Sequence, residues 1–336
     1  MEKIVFSIIG CGAIAHRHAK HIGEIGVLDS VYDIDITKAS DFANQHNCKY
    51  CNSYDELITQ TKASVIVICT PNYLHSPQTQ KALQAGFHVI CEKPMALNSI
   101  DCKQMMDAAT KANKKLFVVK QNRYNPPVIE LKKLLSKNIL GAIINVQLNC
   151  FWNRDSSYYN NSSWKGKLEK DGGILYTQFS HFIDLLLWLL GDVTVVKTIG
   201  LKTENNAKII QFEDNISCLV KFANGAMGNL NFTINTFAKN MEGSITIFAQ
   251  NGTVKVGGEY LNKVEYQQIS NYTMPIVDVH NNANNYGTYT GSMSNHDKVY
   301  ANVVDVLQNN APIDVDMADG LRTVACIEQV LSKLNN

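Results

Sequence analysis

The chain has 336 residues, more than one hydrophobic core usually organises, since single cores stop growing near roughly 250 to 300 residues, and two domains are expected. Its 31 basic and 30 acidic side chains nearly cancel, so no long-range field draws it to nucleic acid or an anionic membrane; small molecules or copies of itself are the expected partners. The opening pattern of residues 1–6 lacks the basic region and apolar core of a secretory signal, and the longest apolar runs, such as 185–190, fall far short of the roughly 20 residues that cross a bilayer. A cytoplasmic chain without a membrane span is expected.

Nine cysteines is an odd number, and Cys11, Cys69, Cys91 and Cys218 sit inside apolar segments, where a free thiol behaves as a small buried hydrophobe. Reduced thiols follow. Cys48 and Cys51 form a Cys-x-x-Cys beside His46, but no second ligand pair stands at zinc-like spacing, so no metal is expected.

Through about residue 120, short β-rich runs alternate with helical patterns, the signature of βα units building a parallel sheet. The strand candidates are 5–9, 28–32, 65–69, 88–91 and 116–119; the helix candidates are 13–25, 36–46, 77–85 and 99–113. A first α/β domain over residues 1–121 is predicted. At Asn125-Pro126-Pro127 the rhythm breaks, and from about Ile143 longer alternating runs take over, among them 217–222, 227–234, 244–249 and 253–256. Asn224-Gly225 and Asn251-Gly252 tolerate positive φ and read as hairpin turns, so residues 122–336 are predicted to form an α+β domain with a mainly antiparallel open sheet. One helix, 176–190, interrupts it, with Gly191 as its C-cap. Residues 271–295 are rich in Asn, Gly, Ser and Tyr and read as a long ordered loop or a flexible lid. Ser294 and Asp297 resemble a capping box opening a helix to about Leu307, and a last helix, 317–334, either completes the second domain or packs back on the first.

Gly10-Cys11-Gly12-Ala13-Ile14-Ala15 follows the first strand and opens a helix, the context in which a glycine pattern becomes a phosphate-binding hypothesis. Gly10 permits the tight turn, and Gly12 lets the amides at the helix N-terminus, with Ala13 and Ile14, approach a pyrophosphate. A strand-turn-helix without a ligand is the alternative. Asp33, 21 residues after Gly12, ends the second strand candidate, where an acidic side chain accepts from ribose hydroxyls and repels a 2′-phosphate. NAD is therefore favoured over NADP. Asp35 is the alternative acid, although its setting reads as a helix start.

The third strand delivers Thr70-Pro71-Asn72 and His75 to the carboxyl edge of the sheet, where open α/β folds bind ligands, and the next strand delivers Glu92-Lys93-Pro94 to the same edge. The alternative for Lys93 is a surface lysine. On the helix predicted over 176–190, the spacing of Thr177, His181, Asp184 and Trp188 places them on one stripe, either a functional face or a hydrogen-bonded His-Asp core pair.

Together with Gly172-Gly173, these motifs in this order resemble the Gfo/Idh/MocA family (glucose-fructose oxidoreductase, inositol dehydrogenase, rhizopine catabolism) over nearly the whole chain. The resemblance implies an N-terminal Rossmann domain, a C-terminal α/β domain whose open sheet builds homodimers or homotetramers, and reversible hydride transfer between NAD(P) and a hydroxyl-bearing carbon of a sugar or polyol. It implies catalytic roles for Lys93 and His181, cofactor contacts for Gly10, Gly12, Ala13, Ile14, Asp33, Thr70, Pro71, Asn72, His75, Glu92 and Lys93, and often a cis Lys93-Pro94 bond. Many members carry an Asp where this chain has Thr177. A hydroxyl is no carboxylate base, so proton removal is expected to fall on Lys93, with a pKa lowered by burial near the nicotinamide, on His181, or on both through a relay.

Only four arginines occur, and Arg123 and Arg154 lie in the segments entering the second domain, a placement that suits an anionic substrate or is ordinary surface charge. The segments 121–125 and 163–166 resemble the family branch that oxidises C3 of UDP-N-acetylglucosaminuronic acid in making surface-polysaccharide sugars. On that resemblance Arg123 and Lys165 contact anionic groups, Tyr158 and Trp164 pack against a ring, and Gln121, Thr177 and His181 complete the substrate site. A dehydrogenase of a free sugar or inositol is the competing enzyme reading, and a non-catalytic dinucleotide-binding regulator the competing class.

Overall fold

The computed structural model describes residues 3–160, 162–275, 283–285 and 289–334. The β-branched runs of the first third form β1 (Ile4–Ile9), β2 (Gly26–Tyr32), β3 (Lys49–Tyr50), β4 (Val65–Ile68), β5 (His88–Cys91) and β6 (Leu116–Val118). They make one six-stranded parallel sheet in the order β3-β2-β1-β4-β5-β6. The order reverses between β1 and β4, which opens a crevice at their carboxyl ends. The crossovers carry α1 (Ala13–Ile25), α2 (Ile36–His46), α3 (Tyr54–Gln60), α4 (His75–Gln84) and α5 (Ser99–Ala112). Asp35, Ser53 and Asn98 cap α2, α3 and α5 by accepting from Lys38, Glu56 and Asp101 amides. No strong pattern in the sequence signals β3 or α3: the strand is two exposed residues and the helix is under two turns.

Next come α6 (Pro126–Ser136), β7 (Ile143–Phe151), α7 (Ser156–Asn160), α8 (Leu168–Asp171), α9 (Ile174–Thr177), α10 (Ser180–Leu190), β8 (Val193–Leu201) and α11 (Glu204–Ala207). The chain continues through β9 (Asn215–Phe222), β10 (Met227–Thr233), β11 (Glu242–Ala249), β12 (Gly252–Gly257), β13 (Lys263–Ile269), β14 (Ala283–Asn285) and β15 (Thr290–Met293). A seven-stranded sheet runs β13-β12-β11-β7-β10-β9-β8, antiparallel throughout except between β7 and β10, as the alternating runs and Asn-Gly turns predicted. One face is apolar and buried: β9 alternates Ile216, Cys218, Val220 and Phe222 inward. Phe182 on α10 lies so close to β11 that a Cβ on Gly243 would stand 2.7 Å from its ring.

The single helix expected over 176–190 is broken. It divides into α9 and α10 at Gln178 and Phe179, and Phe179 leaves helical geometry at φ −109°, ψ 3°. Tertiary packing causes the break. Phe179 stacks into Trp152 and Phe232 at 5.5 and 5.4 Å, and Gln178 donates to Tyr158 and accepts from Arg154. Thr177 thus ends one helix, while His181 and Asp184 belong to the next. Within 271–295, expected as a loop or lid, β14 and β15 form a two-stranded ladder; residues 276–282 and 286–288 lie outside the described ones.

The chain ends with α12 (His296–Asn309) and α13 (Met317–Ser332). It divides into two units, residues 1–120 with 296–324, and 121–295 with 325–336. Residues 296–316, assigned from sequence to the second domain, therefore group with the first, as do residues 317–324 of the last helix, for which packing on the first domain was the alternative. The reason is apolar burial: Tyr300, Val303 and Val306 of α12 complete the core around Phe6, Ile22 and Val67. Among the described residues no single helix is long and apolar enough to cross a membrane.

Candidate active site

In the first unit the chain leaves β1 through Gly10 at φ +90°, where a Cβ would lie 2.8 Å from the Cys69 carbonyl group, so only glycine fits. A Cβ on Gly12 would meet nothing within 4 Å. There α1 begins with no side-chain cap and no acidic residue in its first turn, leaving the amides of its first turn available to an anion at an exposed edge. Asp33 follows β2; its Oδ2 accepts from the Cys11 amide at 2.8 Å and its Oδ1 from the Asp35 amide at 2.9 Å. A carboxylate has about four acceptor positions, so both oxygens retain capacity for ribose hydroxyls. These residues fit NAD: an open amide nest for the pyrophosphate and a carboxylate fixed beside it.

Thr70, Pro71 and Asn72 follow β4, with Asn72–Leu74 forming a 3₁₀ turn that runs into α4. Thr70 donates from its hydroxyl to Gln78 at 2.6 Å. Two residues expected at the cofactor have other work. His75, 1% exposed, turns Nδ1 to the Pro94 carbonyl at 2.6 Å and Nε2 to the Thr70 carbonyl at 2.9 Å, so in either neutral tautomer its one N–H is spent on the main chain. Burial pushes its pKa down against the pull of those two carbonyls and of Glu92. Glu92 is buried as well: Oε1 lies 2.9 Å from His18 Nε2 and 3.6 Å from His296 Nε2, and Oε2 accepts from the Lys93 amide at 3.1 Å. Burial opposes its ionisation, yet the hydrogen bonds and charges of His18 and His296 hold its carboxyl well below the usual range. His18 is itself tied through Nδ1 to the Tyr300 hydroxyl at 2.8 Å. His75 and Glu92 thus grip the turn, cis at Lys93-Pro94, that presents the half-buried Lys93.

In the second unit Arg123, expected to contact an anionic group, instead lies against Asp184 of α10, with Nε to Oδ2 and Nη2 to Oδ1, each at 2.8 Å. Both side chains are buried, so this fork belongs to the core. Gln121 is buried and donates to Ser292 at 3.0 Å. His181 on α10 is 2% exposed. Thr177, at the end of α9, donates its hydroxyl to Asp171 Oδ1 and lies 3.1 Å from the Asp171 carbonyl oxygen.

The second buried arginine behaves differently. The Arg154 guanidinium is stacked among Trp152, Tyr158 and Tyr289 at 5.0, 5.3 and 5.0 Å from the ring centres. It donates to Gln178, Asn240 and the carbonyls of Asn153 and Thr290, and among the described residues no carboxylate lies within ion-pair distance of it. Burial pulls its pKa down. Lys165 lies 3.7 Å from the centre of the Tyr158 ring and 5.1 Å from that of Tyr289, so one aromatic wall carries two cations. Trp164, expected beside Tyr158 in packing on a substrate ring, is half-buried next to Lys165, and Tyr289 occupies the position against Tyr158. The scarcity of arginine hinted at Arg154; nothing in the Asn-rich segment singled out Tyr289.

A parallel sheet with a glycine turn, an acid after its second strand and a lysine at its crevice, joined in one chain to a second unit with a large sheet, defines a two-domain, dinucleotide-dependent oxidoreductase. The chain belongs to the Gfo/Idh/MocA family: residues 4–120 match its NAD-binding Rossmann fold and residues 132–336 its C-terminal alpha/beta domain. Its cofactor is NAD. Solved relatives include the WlbA dehydrogenase of Chromobacterium violaceum in complex with NADH and UDP-GlcNAcA, with TM-score 0.89 and 32% identity over 99% of this chain and 94% of that one. The Bordetella pertussis WlbA dehydrogenase, in complex with the same two molecules, gives 0.88 and 32% over 99% and 96%. Among curated relatives, glucose-6-phosphate 3-dehydrogenase of Bacillus subtilis is 29% identical over 212 residues, 62% of this chain, and the match spans only 59% of that protein's length.

Proposed function

We propose that this oxidoreductase transfers hydride between NAD and a hydroxyl-bearing ring carbon of a sugar, namely C3 of a UDP-linked N-acetylhexosaminuronate in surface-polysaccharide biosynthesis. The observation that carries this reading is Arg154. Among the described residues the buried Arg154 guanidinium has no carboxylate partner, and such a charge is costly unless a ligand supplies the anion. A uronate or diphosphate supplies it; a free hexose or inositol does not. The two solved relatives that hold UDP-GlcNAcA support the same substrate class.

NAD, when bound, supplies the carbon that accepts the hydride. Gly12 and the α1 amides hold the pyrophosphate and Asp33 the adenosine ribose. Thr70, Pro71 and Asn72 line the crevice beside the nicotinamide. Lys93 and His181 act on the reacting hydroxyl, and Arg154 with Lys165 fixes the anionic end. The test is NADH formation from UDP-N-acetylglucosaminuronic acid, free hexoses and inositol, with Lys93→Ala and His181→Ala alongside. Turnover of the UDP-linked uronate alone, lost in both variants, is expected. Turnover of inositol or hexose instead favours the free-sugar reading, and near-normal rates in both variants remove the catalytic assignment.

The outer face of the seven-stranded sheet exposes Ile199, Leu219 and Met227 at 63, 51 and 63%. We propose that it pairs copies of the chain, a homodimer or homotetramer; sedimentation of Leu219→Lys should show a smaller species than the wild type.

A further inference from the structure

We infer that Asp171 is the carboxylate of the proton path, acting through the Thr177 hydroxyl to take up the proton that leaves the substrate. The inference rests on the hydride-transfer reading above and adds a residue to it. Asp171 ends α8 immediately before Gly172-Gly173, and it is 1% exposed. The carboxylate stands one hydrogen bond behind the Thr177 hydroxyl.

The geometry fixes where a proton can sit. Asp171 Oδ2 accepts from the Gly166 amide at 2.8 Å, a donor that cannot reverse, whereas Oδ1 accepts from the Thr177 hydroxyl, a donor that can, so Oδ1 is the oxygen at which a proton is exchanged with Thr177. With Asp171 ionised, the Thr177 proton points to Oδ1. With Asp171 protonated, Oδ1–H donates to Thr177 Oγ1, and the threonine proton turns to the Asp171 carbonyl oxygen 3.1 Å away. Both states keep their hydrogen bonds, so the pair holds or releases a proton without stranding a buried polar group. A carboxylate used only as a structural acceptor needs no such second arrangement. Burial pushes Asp171 up to about 6, against the hydrogen bonds from Thr177 and from the Gly166 and Gly173 amides and the charge of Lys165. That is the range in which an acid-base group works near neutral pH.

The step balances. As the substrate C–H bond breaks, its two electrons leave as hydride to NAD and the C–O bond becomes a carbonyl. The hydroxyl proton passes to Thr177 Oγ1, and the threonine proton passes to Asp171 Oδ1. Lys93 and His181 hold the hydroxyl meanwhile, and the reverse order serves reduction.

Oxidation of UDP-N-acetylglucosaminuronic acid by NAD, followed from about pH 5 to about pH 9, tests the assignment in the wild type, D171N, T177V and D171N/T177D. The wild-type kcat is expected to fall on the acid side through about pH 6. D171N and T177V should lower kcat on the order of 100-fold and lose that limb, with KM changed less than about threefold and NADH binding by fluorescence unchanged. D171N/T177D, which moves the carboxylate forward to position 177, should recover most of the rate. A structural role alone predicts no lost limb and no such rescue. Should D171N not fold, T177V decides, because it removes the relay and leaves the carboxylate. An active wild type with an equally active D171N or T177V overturns the inference alone; an inactive wild type overturns it together with the function reading.

Discussion

Arg123 lays two nitrogens of its guanidinium on the two oxygens of Asp184, Nε to Oδ2 and Nη2 to Oδ1, both at 2.8 Å and both out of solvent. The planar fork and the carboxylate match each other, and each removes the other's need for water. Truncating either leaves a buried charge, a loss of roughly 3 to 5 kcal/mol. Arg123→Ala should therefore lower the thermal unfolding midpoint sharply, and Arg123→Met with Asp184→Leu together should cost far less than either change alone. Calorimetry of the wild type, Arg123→Ala, Arg123→Met, Asp184→Leu and the double variant checks this. If Arg123→Ala keeps the wild-type midpoint and loses only substrate affinity, Arg123 is a substrate ligand after all.

Gly10→Ala should weaken NADH binding at least tenfold. The new Cβ lies 2.8 Å from the Cys69 carbonyl group, and φ of +90° strains any other residue, at a cost of roughly 1 to 3 kcal/mol. Quenching of protein fluorescence by NADH measures the affinity, and the unfolding midpoint should fall with it.

His75→Leu removes the single ring N–H that serves the Pro94 or the Thr70 carbonyl, a loss of roughly 1 to 3 kcal/mol. The predicted result is faster amide hydrogen exchange across residues 91–95 and a reduced kcat with NADH affinity nearly unchanged. A drop in affinity with normal exchange would instead return His75 to the cofactor.

Asp171 also sets a pH dependence of stability. Its pKa is raised in the fold to about 6 from an ordinary 3.8, so between those values the folded chain holds a proton that the unfolded chain has lost. Its contribution is fully present below about pH 4 and is lost as pH rises through about 6, with a span of about 3 kcal/mol at 1.36 kcal/mol for each unit. Unfolding of D171N across this window should show a smaller fall in stability with rising pH than the wild type; parallel curves contradict the assignment.

Much of this was legible residue by residue. The glycine turn, the acid after β2 and the alternation of β9 and β10 are local signals. A turn needs positive φ at a particular residue, and a half-buried strand needs period two, whatever lies elsewhere in the chain. The same local logic misled at 176–190, where helical spacing ran through Gln178 and Phe179. There the aromatic packing of Phe179 and the hydrogen bonds of Gln178 outweighed helix continuity.

By itself, then, the sequence determined the two sheet types, the glycine turn, the acid after β2 and the presence of Lys93 at the crevice of the first unit, because each rests on contacts close in the chain. Only the tertiary structure decided which polar groups are already paired. Arg123 and Asp184 are 61 positions apart, and Glu92 meets His18 and His296 from opposite ends of the first unit. Asp171 reaches Thr177 only because Gly172 and Gly173, at φ of +84° and +101°, fold the chain back between them. Pairing of buried charges is set by distance in space and by the loss of water, and neither quantity is written in the order of residues.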